Sequence, residues 1–329
     1  MNKVHFLCLL SIVLFFSCNK KEADIARKTS GKINTISVII SDQLWNGEIG
    51  DSIRNKLAAP VIGLPQEEPL FTINQYPDKL LEGFIRDSRA IIVVKKASEN
   101  KFEIIQNQYA SPQQVFHISG KTGTDILALL ETNTPQIIQY IKQGEIAENQ
   151  RIIKQSILDP KIIQNKFHIV IAIPATYEYV RQRSNFIWLK KEIVSGNTSL
   201  LIYQVPLNTI KNKSKKIASI IRMRDSIGGL YIRGKEANTN MITEEGYAPY
   251  LFDILIDSKP TIETKGTWEL KNDYMSGPFI NYAILDKEYN RILVLEGFCY
   301  SPSQEKRDFM HELESIIKSV TVIKRKKKH

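Results

Sequence analysis

Cysteine is scarce in this chain. Cys8, Cys18 and Cys299 are the only three among 329 residues, and two of them fall in the first eighteen. A disulfide framework is therefore excluded. Histidine is nearly as rare, with five. None stands in a His-Glu-x-x-His or paired-cysteine spacing, so neither a metal nor a cofactor has sequence support. No Gly-x-Ser-x-Gly elbow occurs. The three Ser-x-x-Lys pairs (Ser98/Lys101, Ser303/Lys306 and Ser315/Lys318) lack the companion motifs of penicillin-recognising enzymes. No coherent catalytic set emerges, and a non-enzymatic role is expected.

Long apolar runs are missing too, apart from one at the start. Residues 1–17 read MNKVHFLCLLSIVLFFS, with Lys3 ahead of an apolar stretch from Phe6 to Phe16. That is a secretory signal pattern, and it is too short to span a bilayer. Phe15-Phe16-Ser17-Cys18 resembles the lipobox of bacterial lipoproteins. The resemblance implies cleavage before Cys18 and a lipid on its sulfur, which anchors the chain to a membrane. Buried acyl chains contribute about 0.8 kcal/mol per CH₂. Residues 18–34, polar and aperiodic, are expected to be the lipidated Cys and its tether.

Basic residues outnumber acidic ones by ten, but five positives sit together at 324–328. Without them and Lys3 the excess falls to four, so no nucleic-acid partner is expected. Residues 324–329 read as a solvated basic tail. With 43% hydrophobic residues the chain can build two packed domains.

The patterning predicts an α/β-like first domain over 35–160 and an α+β domain over 161–323. Each is a mixed or antiparallel sheet covered by helices. In the first, ISVII, EPLFTINQ and AIIVVKK alternate with helices over 47–58 and after Pro77. KFEIIQN and QQVFHIS then form an antiparallel pair, followed by a helical region over 124–157, interrupted near Pro135 and Gly144. In the second, FHIVIAI opens as a strand. A helix over 208–227 is stopped by two glycines, and YLFDILID, IETKGTWEL, PFINYAIL and RILVLEGF form four strands. Ser301, Pro302 and Gln304 read as a capping box for the last helix. The order of this second unit resembles the α-β-α sandwich of photosystem-associated P-subunit proteins, at fold level only.

Several short patterns invite a chemical reading. GKTGTD (120–125) has the strand-to-helix setting of a phosphate loop but Val115 where the pattern needs glycine, so a capped turn is expected. Glu67 and Glu68, beside a Pro-containing turn, offer paired carboxylates. Trp45, Trp268, Tyr274 and Phe279 flank predicted turns and could line a binding surface with those acids. Cys299 lies at strand spacing as a buried small hydrophobe. His311 and Glu314 share a helix face, as a solvated pair or one corner of a site.

Four segments, LWNGEIGDSIRNKL (44–57), GLPQEEPLF (63–71), GTWELKNDYMSGPFINY (266–282) and EGFCYSPSQEKRDFMHELESI (296–316), together resemble the uncharacterised Bacteroidota lipoprotein family catalogued as domain of unknown function 4837. The resemblance would span nearly the whole mature chain. It implies a cell-envelope lipoprotein, facing the periplasm from the outer membrane, with no catalytic residues to carry over. The expected function is binding or scaffolding of another envelope component, protein or glycan. The alternatives are an envelope hydrolase using acids such as Glu67, Glu68 or Glu296, and a small-ligand-binding lipoprotein.

Overall fold

The computed structural model describes residues 27–210 and 215–325. The signal segment, Cys18 and most of the basic tail lie outside them.

The first domain runs β1 (Thr35–Ile40), α1 (Asp42–Trp45), α2 (Glu48–Leu57), β2 (Thr72–Tyr76), β3 (Ala90–Lys96), β4 (Lys101–Gln106), β5 (Gln114–Gly120) and α3 (Gly123–Ile153). Its sheet has the order β2-β1-β3-β5-β4, parallel except for β4 against β5. The continuous apolar runs of β1 and β3 are buried on both faces, as a parallel sheet requires. Helices α2 and α3 cover one face through Ile49, Ile53, Ile126, Leu130, Ile137 and Ile141. The other face is closed by irregular chain around Ile85 and Tyr109. The helix expected after Pro77 is instead two 3-10 turns, Asp78–Leu80 and Gly83–Asp87.

Helix α3 is unbroken over 31 residues, contrary to the expected interruption. Pro135 removes one backbone bond, while Thr132, Asn133 and Thr134 turn their side chains back onto the carbonyls of Ala128, Leu129 and Leu130. The buried stripe on either side outweighs that loss. At its start, Thr122 and Asp125 form a reciprocal capping box, so GKTGTD is a capped turn. Residues 28–34, expected as tether, lie along this domain. Arg89 donates to the carbonyls of Gly31 and Lys32, and Asn34 N–H donates to Glu145.

The second domain runs α4 (Lys161–Phe167), β6 (Ile169–Val170), β7 (Glu178–Arg183), β8 (Phe186–Ile193), β9 (Gly196–Pro206), α5 (Lys216–Tyr231), β10 (Asn240–Thr243), β11 (Tyr250–Ile256), β12 (Lys259–Lys271), β13 (Ser276–Asp286), β14 (Arg291–Tyr300), α6 (Arg307–Ile317) and β15 (Thr321–Val322). An antiparallel sheet runs β10-β12-β13-β14-β9-β8-β7, with β11 beside β10 on the long strand β12. Alternation along the strands loads both faces. Leu200, Ile202, Leu293 and Leu295 meet Leu313 and Ile316 of α6. Leu201, Tyr203, Ile292 and Val294 share the opposite core with Ile220 and Met223 of α5. The result is a helix-sheet-helix sandwich.

Three local expectations fail here. The FHIVIAI strand is instead the last residue of α4, a two-residue β6 and irregular chain over 171–173, with His168 left-handed (φ 50°) at the helix end. Helix α5 starts at Lys216 and runs through Gly228, where a Cβ would lie 2.9 Å from the Met241 carbonyl. That glycine allows β10 close approach; it does not stop the helix. The last helix begins at Arg307, after Ser301 and Gln304, so they do not cap it.

The domains are bonded to each other. Glu68 accepts from the backbone N–H groups of Lys306 and Arg307 at 2.7–2.9 Å. Arg307 reaches the Pro69 carbonyl and Thr72, Asn34 reaches Asp308, and Gln150 reaches the Ser315 carbonyl. At Gly63 (φ +88°) the chain lies so close to β12 that a Cβ would meet the Lys265 Cβ at 2.9 Å.

Candidate functional site

Where the domains meet, a cavity of about 90 Å³ opens between the 61–64 loop, α3, α6 and the β12–β13 pair. Three sequence patterns feed it. On α6, His311, Glu314 and Lys318 follow at helical spacing on the flank beside the Leu313–Ile316 core stripe. On β12, Glu263 and Lys265 sit two apart and so share the face that looks at α6, opposite Tyr282 and Ile280 of β13. On α3, Lys142 and Ile146 line the wall one turn apart.

The polar groups form a chain. Tyr282 donates to Glu263 at 2.5 Å; Lys265 Nζ lies 3.3 Å from Glu263 and 3.8 Å from Glu314; Lys318 pairs with Glu314 at 2.5 Å. Burial opposes ionisation of Glu314, but Lys265 and Lys318 outweigh it and hold its carboxyl at about 2. Burial likewise opposes the Lys265 charge, and Glu314 and Glu263 reverse that and raise it. The Tyr282 phenol is pushed well up by burial and then by the two carboxylates. Lys142, at the mouth, is pushed down by desolvation and then by Lys265, and has no carboxylate within ion-pair distance among the described residues. His311 is pushed down by burial against the pull of Glu314 and of the Glu145 backbone. Its Nε2 is buried and has no hydrogen-bond partner among the described residues. Lys142, Lys265, Lys318 and Arg307 thus line the cavity against one lining carboxylate, Glu314.

Such a site can hold negative charge. It is poorly suited to general acid catalysis, which needs a carboxyl raised towards neutrality. Among the described residues no three His, Cys, Asp or Glu side chains cluster to hold a metal ion.

The residues singled out from the sequence do not assemble into one surface. Trp45 is half-buried under the Arg54 guanidinium, 4.4 Å from its ring centroid. Trp268 is buried with its indole N–H on the Cys299 carbonyl. Phe279 is buried beneath Arg224, though it borders the cavity. Tyr274 stands fully exposed at the β12–β13 turn. Glu67 is exposed, while Glu68 is buried and committed to α6. Glu296 is locked bidentate onto Arg224 at 2.7–3.0 Å. Turn-flanking aromatics of long inward-facing strands belong to the core, which is why the proposed surface dissolves. His311 and Glu314 do mark the site. Sequence reasoning misses the lysines, although Glu263 and Lys265, as alternate charges inside an otherwise inward-facing strand, are a readable signal.

Residues 156–319 match the family described as Domain of unknown function (DUF4837), and residues 29–154 match a second, Domain of unknown function (DUF8532). The chain belongs to the DUF4837 family through its second domain. The family does not span nearly the whole mature chain, as the resemblance implied: segments 44–57 and 63–71 fall in the other match. No curated protein matches. Among solved structures, the chain is similar to a mutant of Protein Mog1 (10% identity, TM-score 0.29, 48% of this chain and 92% of that one). It is also similar to Human StAR-related lipid transfer protein 5 (10% identity, TM-score 0.25, 54% and 95%). Likenesses this distant carry no argument about function.

Proposed function

We propose that this DUF4837 protein is a non-enzymatic cell-envelope lipoprotein. In this reading it is held to the outer membrane through a lipid on Cys18, faces the periplasm, and binds another envelope component at the domain junction. The carrying observation is the cavity itself: four cationic side chains around a carboxylate held at about 2, between two domains bonded to each other. Charges gathered in a partly desolvated concavity are costly to maintain and recur where something is bound.

The rival, a glycan or cell-wall hydrolase, needs a free acid. Glu68 and Glu296 are consumed by helix capping and by Arg224, which leaves the exposed Glu67 without a second free carboxylate from the expected set. The Glu263–Glu314 pair flanks a lysine, and the Glu314 carboxyl is displaced in the direction opposite to a proton donor's.

In-cell photocrosslinking tests the reading. A photoreactive residue replaces Ile62, which is exposed at the cavity wall, or Val194, which is exposed elsewhere. A discrete adduct from position 62 and none from 194 is expected. Equal or absent adducts refute binding at the junction. Cys18→Ser should move the protein out of the membrane fraction; retention there refutes the anchor.

A further inference from the structure

We propose that the junction cavity is an oxyanion site for a small tetrahedral dianion of the phosphate or sulfate type, held by Lys142 and Lys318, and that the buried ring of His311 beside it takes up a proton when the anion binds. The proposal rests on the reading of the cavity as the binding site and names its ligand class.

Size comes first. The cavity, of about 90 Å³, has room for one tetrahedral oxyanion. A larger ligand enters only by an anionic end.

Charge comes second. Lys265 is already bridged between Glu263 and Glu314, and Lys318 is paired with Glu314. Lys142 has no such partner, and its ammonium is crowded by Lys265 and Lys318. An anion at the mouth relieves that repulsion and gives Lys142 its counter-charge. Ammonium groups act as point charges and favour charge density over planar shape. That selects a compact dianion above a carboxylate.

The third observation is the ring of His311. Nε2 has no hydrogen-bond partner among the described residues, and the Glu145 backbone pulls the ring towards protonation. A neutral ring that donates from Nδ1 presents a lone pair at Nε2, which repels an anion. Protonation turns Nε2 into a donor. The surrounding charges are Asp308 and Glu314 on α6 with Arg307 beside them, Glu145 and Lys142 on α3, and Lys265 on β12. Glu145 is already neutralised by Arg89 at 2.9 Å, and Glu314 by its two lysines. Burial keeps the ring neutral against the remaining pull of Glu314, Glu145 and Asp308 until an anion adds further negative charge.

Sulfate is the clean probe, because its charge is constant across the titration of histidine. Calorimetric titration into the full chain purified in detergent should give binding about tenfold tighter near pH 5.5 than near pH 7.5. Lys142→Gln should weaken sulfate binding by about tenfold or more, the scale of one charged hydrogen bond, without moving the melting temperature. Lys161→Gln, a distant surface change, should leave it unaltered. His311→Gln should bind equally at both pH values. Inorganic phosphate and glycerol phosphate distinguish sources: binding of phosphate alone supports a free ion, and binding of both supports a tethered phosphate such as a headgroup. No sulfate binding at either pH, wild-type affinity in Lys142→Gln, or acetate binding as tight as sulfate each overturns the proposal. If these fail while the position-62 adduct persists, the ligand class is wrong and the junction reading stands. If sulfate binds but no adduct forms, the envelope-partner reading falls instead.

Discussion

Glu68, in the first domain, caps the helix that starts at Arg307 in the second. Both carboxylate oxygens are used, at 2.8 and 2.9 Å from the Lys306 N–H, with one also 2.7 Å from that of Arg307. The charge meets the positive end of the helix macrodipole, and two otherwise orphaned donors are satisfied. Glu68→Gln should therefore cost about 1–3 kcal/mol in urea unfolding. The exposed neighbour Glu67→Gln should cost no more than about 0.5 kcal/mol. Equal effects of the two changes would contradict the cap.

Acid should weaken the protein in two stages. The folded His311 lies below its ordinary 6.5, so the unfolded chain binds the proton more readily and stability drops as pH falls below about 6.5. The folded Glu314 lies at about 2 against an ordinary 4.5. Its contribution is complete above 4.5 and is lost as pH falls from there towards 2, up to roughly 3 kcal/mol. Glu314→Gln should be less stable at neutral pH, because Lys265 and Lys318 lose their shared partner. It should also show a flatter acid limb than the parent in chemical unfolding at stepped pH. A limb as steep as the parent's would remove Glu314 from this account.

The buried Arg224–Glu296 pair gives a sharper test of packing against charge. Both side chains are 2% exposed, and Asn281 donates to the same carboxylate at 2.6 Å while Arg224 lies 3.4 Å over the Phe279 ring. Arg224→Met alone strands a buried carboxylate and should cost about 3–5 kcal/mol. Adding Glu296→Gln removes the stranded charge and keeps an acceptor for Asn281, so the double variant should recover more than half of the loss. Additive losses in a double-mutant cycle would show that the two residues act independently.

What is legible in the sequence follows the range of the forces. The strands over 36–40, 90–96 and 291–300 are readable because period and burial agree locally, and so is the two-domain α+β organisation. The start of α6 is not. Ser301, Pro302 and Gln304 carry a good local signature, but the cap that wins comes from Glu68, far away in the chain. Pro135 and Gly144 suggest a break that the buried stripe of α3 overrides. The site is half legible: His311 and Glu314 stand out as a spaced pair and Lys265 as a charge inside an inward-facing strand, whereas Lys142 looks like any surface lysine until the fold sets it at the cavity.

Counting thiols joins the fold to the proposed anchor. Cys299 is wholly buried on β14, and burial pushes its thiol up to about 12. It should be silent to a maleimide or disulfide reagent at neutral pH in the folded protein, since both react with the thiolate. If Cys8 leaves with the leader and the Cys18 sulfur carries a lipid, protein extracted from membranes should show no reactive thiol when folded and one in denaturant. If denaturant shows a single thiol and that thiol also titrates in the folded state, the burial of Cys299 is contradicted. Three in denaturant, or two in a chain whose mass shows that residues 1–17 are gone, would mean that Cys18 keeps a free sulfur, and the lipid anchor would fail while the fold stood. The count thus separates two claims that localisation alone would leave entangled, because a basic tail can hold a protein at an acidic membrane without any lipid, and that tail carries no sulfur.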